Sequence, residues 1–234
     1  MSLVGAIKDY NNLDLPEDTL PGKGPLGVQL VAKIHFKIIN PDGTVAREWD
    51  EPSHSLNENF AAIIYDLWFQ ANFTWVDVYG YKVYPSGGQI TTFTINAPAG
   101  NSTYGIVVGS GSPASGTNLA TVSNLYLPIP NGTSAGQLQY EAVTVQSGPT
   151  LSGTTTSFVF YRNFINSSGG TVTVSEIGII AYITAPTLEE TLPSGTTQTA
   201  SSDYVLISYD VPSTAITVQN GQTLQITYTF SVTT

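Results

Sequence analysis

The sequence contains no cysteine and few charged residues, and each absence narrows the functions it can have. Without cysteine there is neither a disulfide framework nor a thiolate-ligated metal site. Charged residues make up only 10% of the chain, whereas a typical soluble domain has about 25%. Residues 101–234 hold a single basic residue, Arg162. So few charges leave hydroxyl, amide and backbone groups to form the surface, which favours packing against other subunits.

Acidic residues outnumber basic ones, and no hydrophobic run is long. The net charge is -10 and the pI about 4.3, which disfavours nucleic acid and anionic membrane surfaces as partners because their phosphates would be repelled. No stretch approaches the ~18 apolar residues of a membrane-spanning helix, so no membrane insertion is predicted. Residues 1–9 lack the basic and apolar regions of a signal peptide. We expect assembly in a cytoplasm, or else a signal sequence that has been removed.

Few residues are available for catalysis or metal binding. The two histidines, His35 and His54, lie in a predicted strand and in an acidic loop, and no strand–turn–helix motif places an activated serine beside either. Asp50, Glu51 and His54 are candidate metal ligands, but the helix dipole also favours carboxylates just before a helix N-terminus. We predict no metal site and no cofactor.

Glycoside hydrolysis needs a pair of carboxylates, and Glu141 and Glu176 are the candidates in the strand-rich part of the chain. Glu176 stands alone in the apolar segment 175–180 (SEIGII), where a glutamate is more often a structural carboxylate than a catalyst. In such a core it can accept backbone N–H bonds. The sequence therefore predicts a protein without enzymatic activity.

Threonine, serine, glycine and proline are abundant, with 30, 22, 22 and 14 residues respectively, which is typical of many short strands joined by tight turns. Residues 30–39 and 44–49 predict a hairpin around the turn 40–43 (NPDG). Further strands are predicted at residues 75–83, 91–96, 105–109, 138–145, 157–164, 171–183, 204–211 and 223–232. The predicted fold class is mostly β, a β-sandwich or jelly-roll-like barrel with one α-helix.

The one predicted helix covers about residues 56–71. Ser55 and Glu58 match a capping box at its start. Apolar residues then recur at helical spacing and form one broad apolar face. They are Leu56, Phe60, Ile63, Ile64, Leu67 and Trp68.

The chain is predicted to form an extended N-terminal arm, residues 1–26, and a single β-sandwich domain, residues 27–234, that contains the helix. The arm includes three prolines, at positions 16, 21 and 25, and four acidic residues, a composition that disfavours an independent element. Two arrangements are open: the arm packs on its own domain, or neighbouring subunits hold it.

Aromatic residues cluster after the predicted helix. Trp75, Tyr79 and Tyr81 fall on one face of the predicted strand 75–83, and Tyr84 follows. Such a cluster serves as a platform on which sugars stack, as a subunit interface or as part of the core.

Four Asn-x-Ser/Thr sequons lie at Asn72, Asn101, Asn131 and Asn166. Asn72 lies at the end of the predicted helix, and the other three lie in predicted turns. Asn101, Asn131 and Asn166 are therefore the candidate glycosylation sites.

Several motifs follow one another in a recognisable order. They are residues 59–65 (NFAAIIY), 104–113 (YGIVVGSGSP, with Asn118-Leu-Ala following), 174–182 (VSEIGIIAY) and 217–228 (TVQNGQTLQITY). Together they resemble a group of virion proteins of phages and archaeal viruses that are often tail- or baseplate-associated. In that group a strand runs into a Gly-x-Gly loop, a Glu-apolar-Gly strand follows, and an alternating strand closes the domain. The resemblance covers about residues 55–232.

The resemblance implies a virion structural protein of a capsid, a penton or turret, or a tail. Such a subunit assembles with copies of itself and with other virion proteins, and its arm and strand edges pair with neighbours. One alternative is a subunit of a cell-surface filament or S-layer on the extracellular surface. Another is a glycan-binding host-attachment module, in which Trp75, Tyr79, Tyr81 and Tyr84 stack on a host surface glycan.

Overall fold

The computed structural model of the protein describes residues 29–53, 56–70, 73–86 and 89–233. Of these residues, 54% are in strands and 8% are helical, which confirms the mostly-β prediction. The predicted arm, residues 1–26, lies outside the described residues, as do His54, Ser55 and Asn72.

The described part of the chain contains fourteen strands and one α-helix. In chain order they are β1 (Gln29–Ile39), β2 (Val45–Ser53), α1 (Glu58–Phe69), β3 (Trp75–Val76), β4 (Lys82–Pro85), β5 (Thr92–Thr94), β6 (Gly105–Gly109), β7 (Gln139–Tyr140), β8 (Thr144–Ser152), β9 (Thr155–Ile165), β10 (Val172–Val174), β11 (Glu176–Thr191), β12 (Thr197–Asp210), β13 (Ile216–Val218) and β14 (Thr223–Thr233). One short 3-10 turn, Leu119–Thr121, follows β6.

Six strands form an antiparallel sheet, named sheet A, in the order β2-β1-β14-β9, with β7 and β8 both paired to β9. On β14 the residues Leu224, Ile226, Tyr228 and Phe230 are buried, and mostly threonine and glutamine lie between them. This period of two directs one face of the strand into the core. The strand predicted at residues 223–232 is confirmed.

Six other strands form sheet B around the long strand β11. It pairs with β12 along one edge and with β6, β5 and β4 in succession along the other, and β3 pairs with β4. Residues 176–181 of β11 are all buried, which explains their nearly continuous apolar run. β10 and β13 form a separate two-stranded ladder.

The two sheets share one hydrophobic core, to which Phe36 of sheet A and Ile179 of sheet B both contribute. A polar contact also crosses between them, since the Tyr228 hydroxyl donates to Asp210 Oδ2 at 3.0 Å. Neither sheet closes into a barrel within the described residues. The structure is therefore the sandwich form of the predicted fold class.

Helix α1 begins two residues later than predicted, at Glu58. Its N-cap is Asn57, whose Oδ1 accepts the N–H of Phe60 at 3.2 Å. The capping role expected of Ser55 therefore falls to Asn57, which satisfies an otherwise unpaired N–H of the first turn. No helix among the described residues has the length and hydropathy needed to cross a bilayer.

The predicted apolar face of the helix is correct only in its first part: Ile63 is buried and Leu56 and Phe60 pack against the core, whereas Leu67 and Trp68 are exposed. The buried helix residues are Asn59, Ala62, Ile63 and Asp66, whereas Trp68 is 73% exposed. Two polar side chains enter the core because they bind backbone. Asn59 both donates to and accepts from the backbone of Val76, and Asp66 accepts the N–H of Phe73 at 2.8 Å.

Three predicted strands are interrupted, and one of them, 171–183, divides at Ser175 into β10 and the start of β11. Residues 75–83 divide into β3 and β4 because the Asp77 carboxylate accepts the N–H groups of Tyr79 and Tyr81 and closes a turn between them. Residues 138–145 divide between β7 and β8, which pair with different parts of β9. The strand predicted at 105–109 coincides with β6, whereas β13 was not predicted.

Candidate functional site

A pocket opens between the β3–β4 turn and the β11–β12 hairpin. Its volume is about 310 Å³. We name it the tyrosine–carboxylate pocket after its lining residues, which are Tyr79, Tyr81, Glu190, Gln198, Ser202, Asp203 and Tyr204. The chain brings together residues more than 100 positions apart because β4 and β12 both pair with β11.

The β3–β4 turn places two of the tyrosines. Asp77 Oδ1 accepts the N–H groups of Tyr79 at 2.9 Å and Tyr81 at 2.7 Å. The N–H of Val78 donates to the carbonyl of Tyr204 at 3.0 Å, which ties the turn to β12. The rings of Tyr79 and Tyr81 lie 6.0 Å apart with their planes 37° from parallel, so two neighbouring aromatic rings form one side of the pocket.

Three buried carboxylates lie in or behind the pocket. Asp203 Oδ2 accepts the indole N–H of Trp75 at 3.1 Å, and its Oδ1 accepts the N–H of Tyr204 at 2.7 Å. Glu190 accepts from the side-chain amide of Gln198 at 2.6 Å. The third carboxylate, Asp77, is fully buried, and its Oδ2 has no hydrogen-bond partner among the described residues.

These carboxylates disfavour one another's charge. Burial, together with the nearby carboxylates Asp77 and Glu190, raises the pKa of Asp203 to about 7. Burial likewise raises the pKa of Asp77, with Glu190 adding to the effect. In the described part of the chain the ion pairs all join β1 to β2, so none involves these carboxylates; Lys82, the base that follows Tyr81, is exposed.

The structure separates the four residues of the predicted aromatic platform. Tyr79 and Tyr81 line the pocket. Trp75 is buried in the core and reaches the pocket only through its indole N–H on Asp203. Tyr84 lies outside the pocket and hydrogen-bonds Glu189. A flat platform of four aromatic rings is therefore not formed.

The three candidate glycosylation sites differ in accessibility. Asn131 is exposed and Asn101 is half-buried. Asn166 is fully buried, and its Nδ2 donates to the carbonyls of Gly170 and Val218, both at 2.8 Å. Because Nδ2 is the atom that a glycan would modify, the folded chain presents Asn101 and Asn131 but not Asn166.

The candidate metal ligands and catalytic residues that the structure describes form hydrogen bonds and ion pairs within the fold. His35 lies between two carboxylates, 2.9 Å from Glu48 and 2.8 Å from Asp50. Glu51 accepts from the indole of Trp49 and from Ser213. No group of three metal-ligating side chains occurs among the described residues.

Glu176 is fully buried, and four donors surround its carboxylate. They are the N–H groups of Gly111, Tyr126 and Leu127 and the hydroxyl of Tyr209, at 2.7–3.0 Å. The prediction that Glu176 accepts backbone N–H bonds is confirmed. Glu141, the other candidate acid, is exposed.

A second surface stands out at one end of sheet A, where the inward-facing side chains extend past the core. Four of these side chains are partly exposed: Phe158 (41%), Val232 (39%), Leu30 (49%) and Leu151 (70%). Strand register places Leu30, Val232, Thr156 and Leu151 side by side in one row. In the next row, the rings of Phe158 and Phe230 stack 5.4 Å apart and 6° from parallel. We name these five apolar residues, Leu30, Leu151, Phe158, Phe230 and Val232, the open end of sheet A.

Sequence patterns did not predict the polar half of the pocket. Glu190, Gln198 and Asp203 follow no motif, and they meet Tyr79 and Tyr81 only through strand pairing. The one available signal was the run of acidic residues among tyrosines in an otherwise uncharged region.

The chain matches no protein-family model, no curated protein and no solved structure.

Proposed function

We propose that this chain is a structural subunit of a larger assembly, and that the assembly is a virion. The observation that carries the proposal is the open end of sheet A. The ring of Phe158, which stacks on the buried ring of Phe230, and the neighbouring aliphatic side chains remain in contact with water there. Contiguous apolar surface of this kind marks an interaction site.

The open end of sheet A lies where the chain enters the sandwich. β1 starts at Gln29, and Leu30 belongs to the exposed row. The first described residue therefore lies at the edge of this apolar surface, and residues 1–28 precede it in the sequence. They include apolar residues suited to cover the surface: Leu3, Val4, Ile7, Leu13, Leu15, Leu20, Leu26 and Val28.

The occupant that we propose is residues 1–28 of a second copy. Fully extended, 28 residues span up to roughly 90 Å, which is long enough to reach a neighbouring subunit. Exchange of a terminal segment between identical chains is a low-cost route to oligomers. The assembly is then a homo-oligomer to which other virion proteins add.

The assignment to a virion is based on the resemblance described above, and the alternative is a subunit of a cell-surface filament or S-layer. Exchange of the arm is compatible with both kinds of assembly. A rotation between neighbouring subunits that closes on itself produces rings, and one that does not close produces filaments. Electron microscopy of the purified assembly separates them. Closed rings or shells favour the virion, and open filaments or flat lattices favour the cell surface.

The test replaces one apolar residue of the open end with a polar one. Val232→Ser is expected to weaken self-association about tenfold, because it removes roughly 1–2 kcal/mol of apolar burial from each contact. The matched control is Val45→Ser, which replaces another exposed valine, 49% against 39% for Val232, near the opposite end of the same sheet. Light scattering over a concentration series measures both variants. Equal association of the two variants would contradict the proposal.

A further inference from the structure

The tyrosine–carboxylate pocket combines two features that together select the charge of a ligand. One feature is its aromatic wall of Tyr79, Tyr81 and Tyr204. The other is the set of buried carboxylates, Asp203 and Glu190 in the lining and Asp77 behind it. Aromatic faces and carboxylates both attract cations.

The charge of the pocket is uncompensated. The groups around Asp203 are Asp77 on the β3–β4 turn, Glu190 on β11, the indole of Trp75, and Tyr79 and Tyr204 as nearby phenols. All of these are acidic or neutral. Arg162, the one base in residues 101–234, donates instead to backbone carbonyls beside β6. Buried charge without a counter-ion is costly, and a cation entering the pocket would remove that cost.

A further unpaired acceptor lies behind the pocket, outside its lining: a buried oxygen of Asp77. Its Oδ1 is occupied by the turn, whereas its Oδ2 is buried without a hydrogen-bond partner among the described residues. Burial of an acceptor that lacks a donor is rare in folded proteins. A bound cation nearby would stabilise this oxygen electrostatically even without direct contact.

We propose that the tyrosine–carboxylate pocket binds an organic cation, namely the ammonium or guanidinium group of a lysine-like, methylated-amine or arginine-like ligand. A volume of about 310 Å³ accommodates such a head group with part of its alkyl chain. The rings of Tyr79, Tyr81 and Tyr204 contact the cation, Glu190 and Asp203 accept its hydrogen bonds, and Gln198 holds Glu190 in place.

Two other ligand classes fit less well. A metal ion is disfavoured because the described residues contain no group of three metal-ligating side chains. A neutral saccharide would stack on the tyrosines, yet it would leave the carboxylate charge uncompensated. The proposal is independent of subunit assembly, since the pocket belongs to sheet B and the open end to sheet A.

The experiment titrates the full-length chain with tetramethylammonium, N-acetyl-lysine amide and N-acetyl-arginine amide, with glucose and N-acetylglucosamine as neutral probes. Calorimetry measures affinity, and tyrosine fluorescence reports on the pocket. We expect the cationic probes to bind and the neutral sugars not to bind. Affinity is expected to rise between pH 5 and pH 8, because Asp203, with a pKa of about 7, gains its charge in that range.

Isosteric variants locate the site. Glu190→Gln and Asp203→Asn are each expected to weaken cation binding at least about tenfold, and Asp203→Asn also removes the rise with pH. The matched control is Glu189→Gln, the adjacent residue of β11, which pairs with Tyr84 outside the pocket. Thermal melting confirms that each variant is folded.

Three outcomes would overturn the proposal. Binding of the sugars alone would make the pocket a glycan site. Absence of binding by every probe at millimolar concentration would leave a structural carboxylate cluster. Cation binding that Glu190→Gln and Asp203→Asn leave unchanged would place the ligand elsewhere.

Discussion

At the scale of single residues, Arg162 is the most unusual side chain of the core. It is fully buried, yet no carboxylate in the described part of the chain forms an ion pair with it. Its guanidinium donates instead to five backbone carbonyls and lies 4.8 Å from the centre of the Tyr140 ring. The carbonyls are those of Pro98, Asn101, Tyr104, Ile106 and Glu141. Burial lowers the pKa of Arg162 to about 10, so it stays charged at neutral pH.

Arg162 is therefore expected to hold the loop before β6 onto sheet A. Arg162→Met should lower the free energy of unfolding by about 3–5 kcal/mol, because five carbonyls lose their donor. The control is Arg47→Met, an exposed arginine over the ring of Trp49, for which less than about 1 kcal/mol is expected. Urea denaturation measures both variants. A loss for Arg162→Met no larger than that of the control would show that the carbonyls find other partners.

Residue identity alone predicted Glu176 but not Arg162. A lone glutamate in an apolar strand has few possible environments, and backbone N–H groups are the usual partners of such a carboxylate. A lone arginine in an uncharged region has many possible environments, and most arginines lie at the surface. Its burial depends on five carbonyls from segments up to 64 positions away, which no local pattern encodes.

At the scale of elements, the Gly-x-Gly loop after β6 is fitted to the carboxylate of Glu176. A Cβ atom on Gly109 would lie 2.3 Å from Glu176 Oε1, and one on Gly111 would lie 2.6 Å from it. Gly111 also donates its N–H to that oxygen. Two motifs far apart in the sequence thus form one structural unit, in which glycine allows the loop to approach the buried carboxylate.

Gly111→Ala is expected to destabilise the fold by about 1–3 kcal/mol, because the added methyl group displaces Glu176 or the loop. Gly148→Ala on β8 is the matched control, since a Cβ atom there meets nothing within 4 Å. Thermal melting of both variants measures the difference. Equal melting temperatures would show that the loop adapts without cost.

Element prediction succeeded where alternation was regular and failed where polar side chains bind backbone. β6, β9 and β14 lie within two residues of their predicted ends. The strand predicted at 75–83 is broken by the carboxylate of Asp77, and the helix buries Asn59 and Asp66 while it leaves Leu67 and Trp68 of its apolar stripe exposed. Hydrophobic periodicity does not report such side-chain-to-backbone bonds.

At the scale of the whole molecule, charge and apolar exposure lie at different places on sheet A. Side chains of opposite charge pair across β1 and the edge strand β2, with Lys33, His35 and Lys37 on β1 facing Glu48 and Asp50 on β2. Charged side chains on an edge strand discourage pairing with another sheet. The expectation that strand edges join subunits is therefore disfavoured at β2, and the open end of sheet A becomes the preferred contact.

The pocket and the open end also show what sequence can predict at this scale. Low charge predicts a chain that packs against other subunits, and this stays a prediction. The position of the exposed apolar rows could not be predicted, because it depends on how far β9 and β14 extend beyond the core. Likewise the carboxylates of the pocket are distant in sequence and meet only through the register of β11.

The most direct test of arm exchange uses the absence of cysteine from the chain. One preparation carries Leu20→Cys in the arm, and another carries Thr156→Cys, an exposed residue in the apolar row of the open end. The two are mixed, oxidised and analysed by mass spectrometry, with Val45→Cys as the control partner. Arm exchange predicts a disulfide-linked heterodimer with Thr156→Cys and none with Val45→Cys. A link that forms only within a chain carrying both Leu20→Cys and Thr156→Cys would show that the arm covers its own domain and would contradict the account.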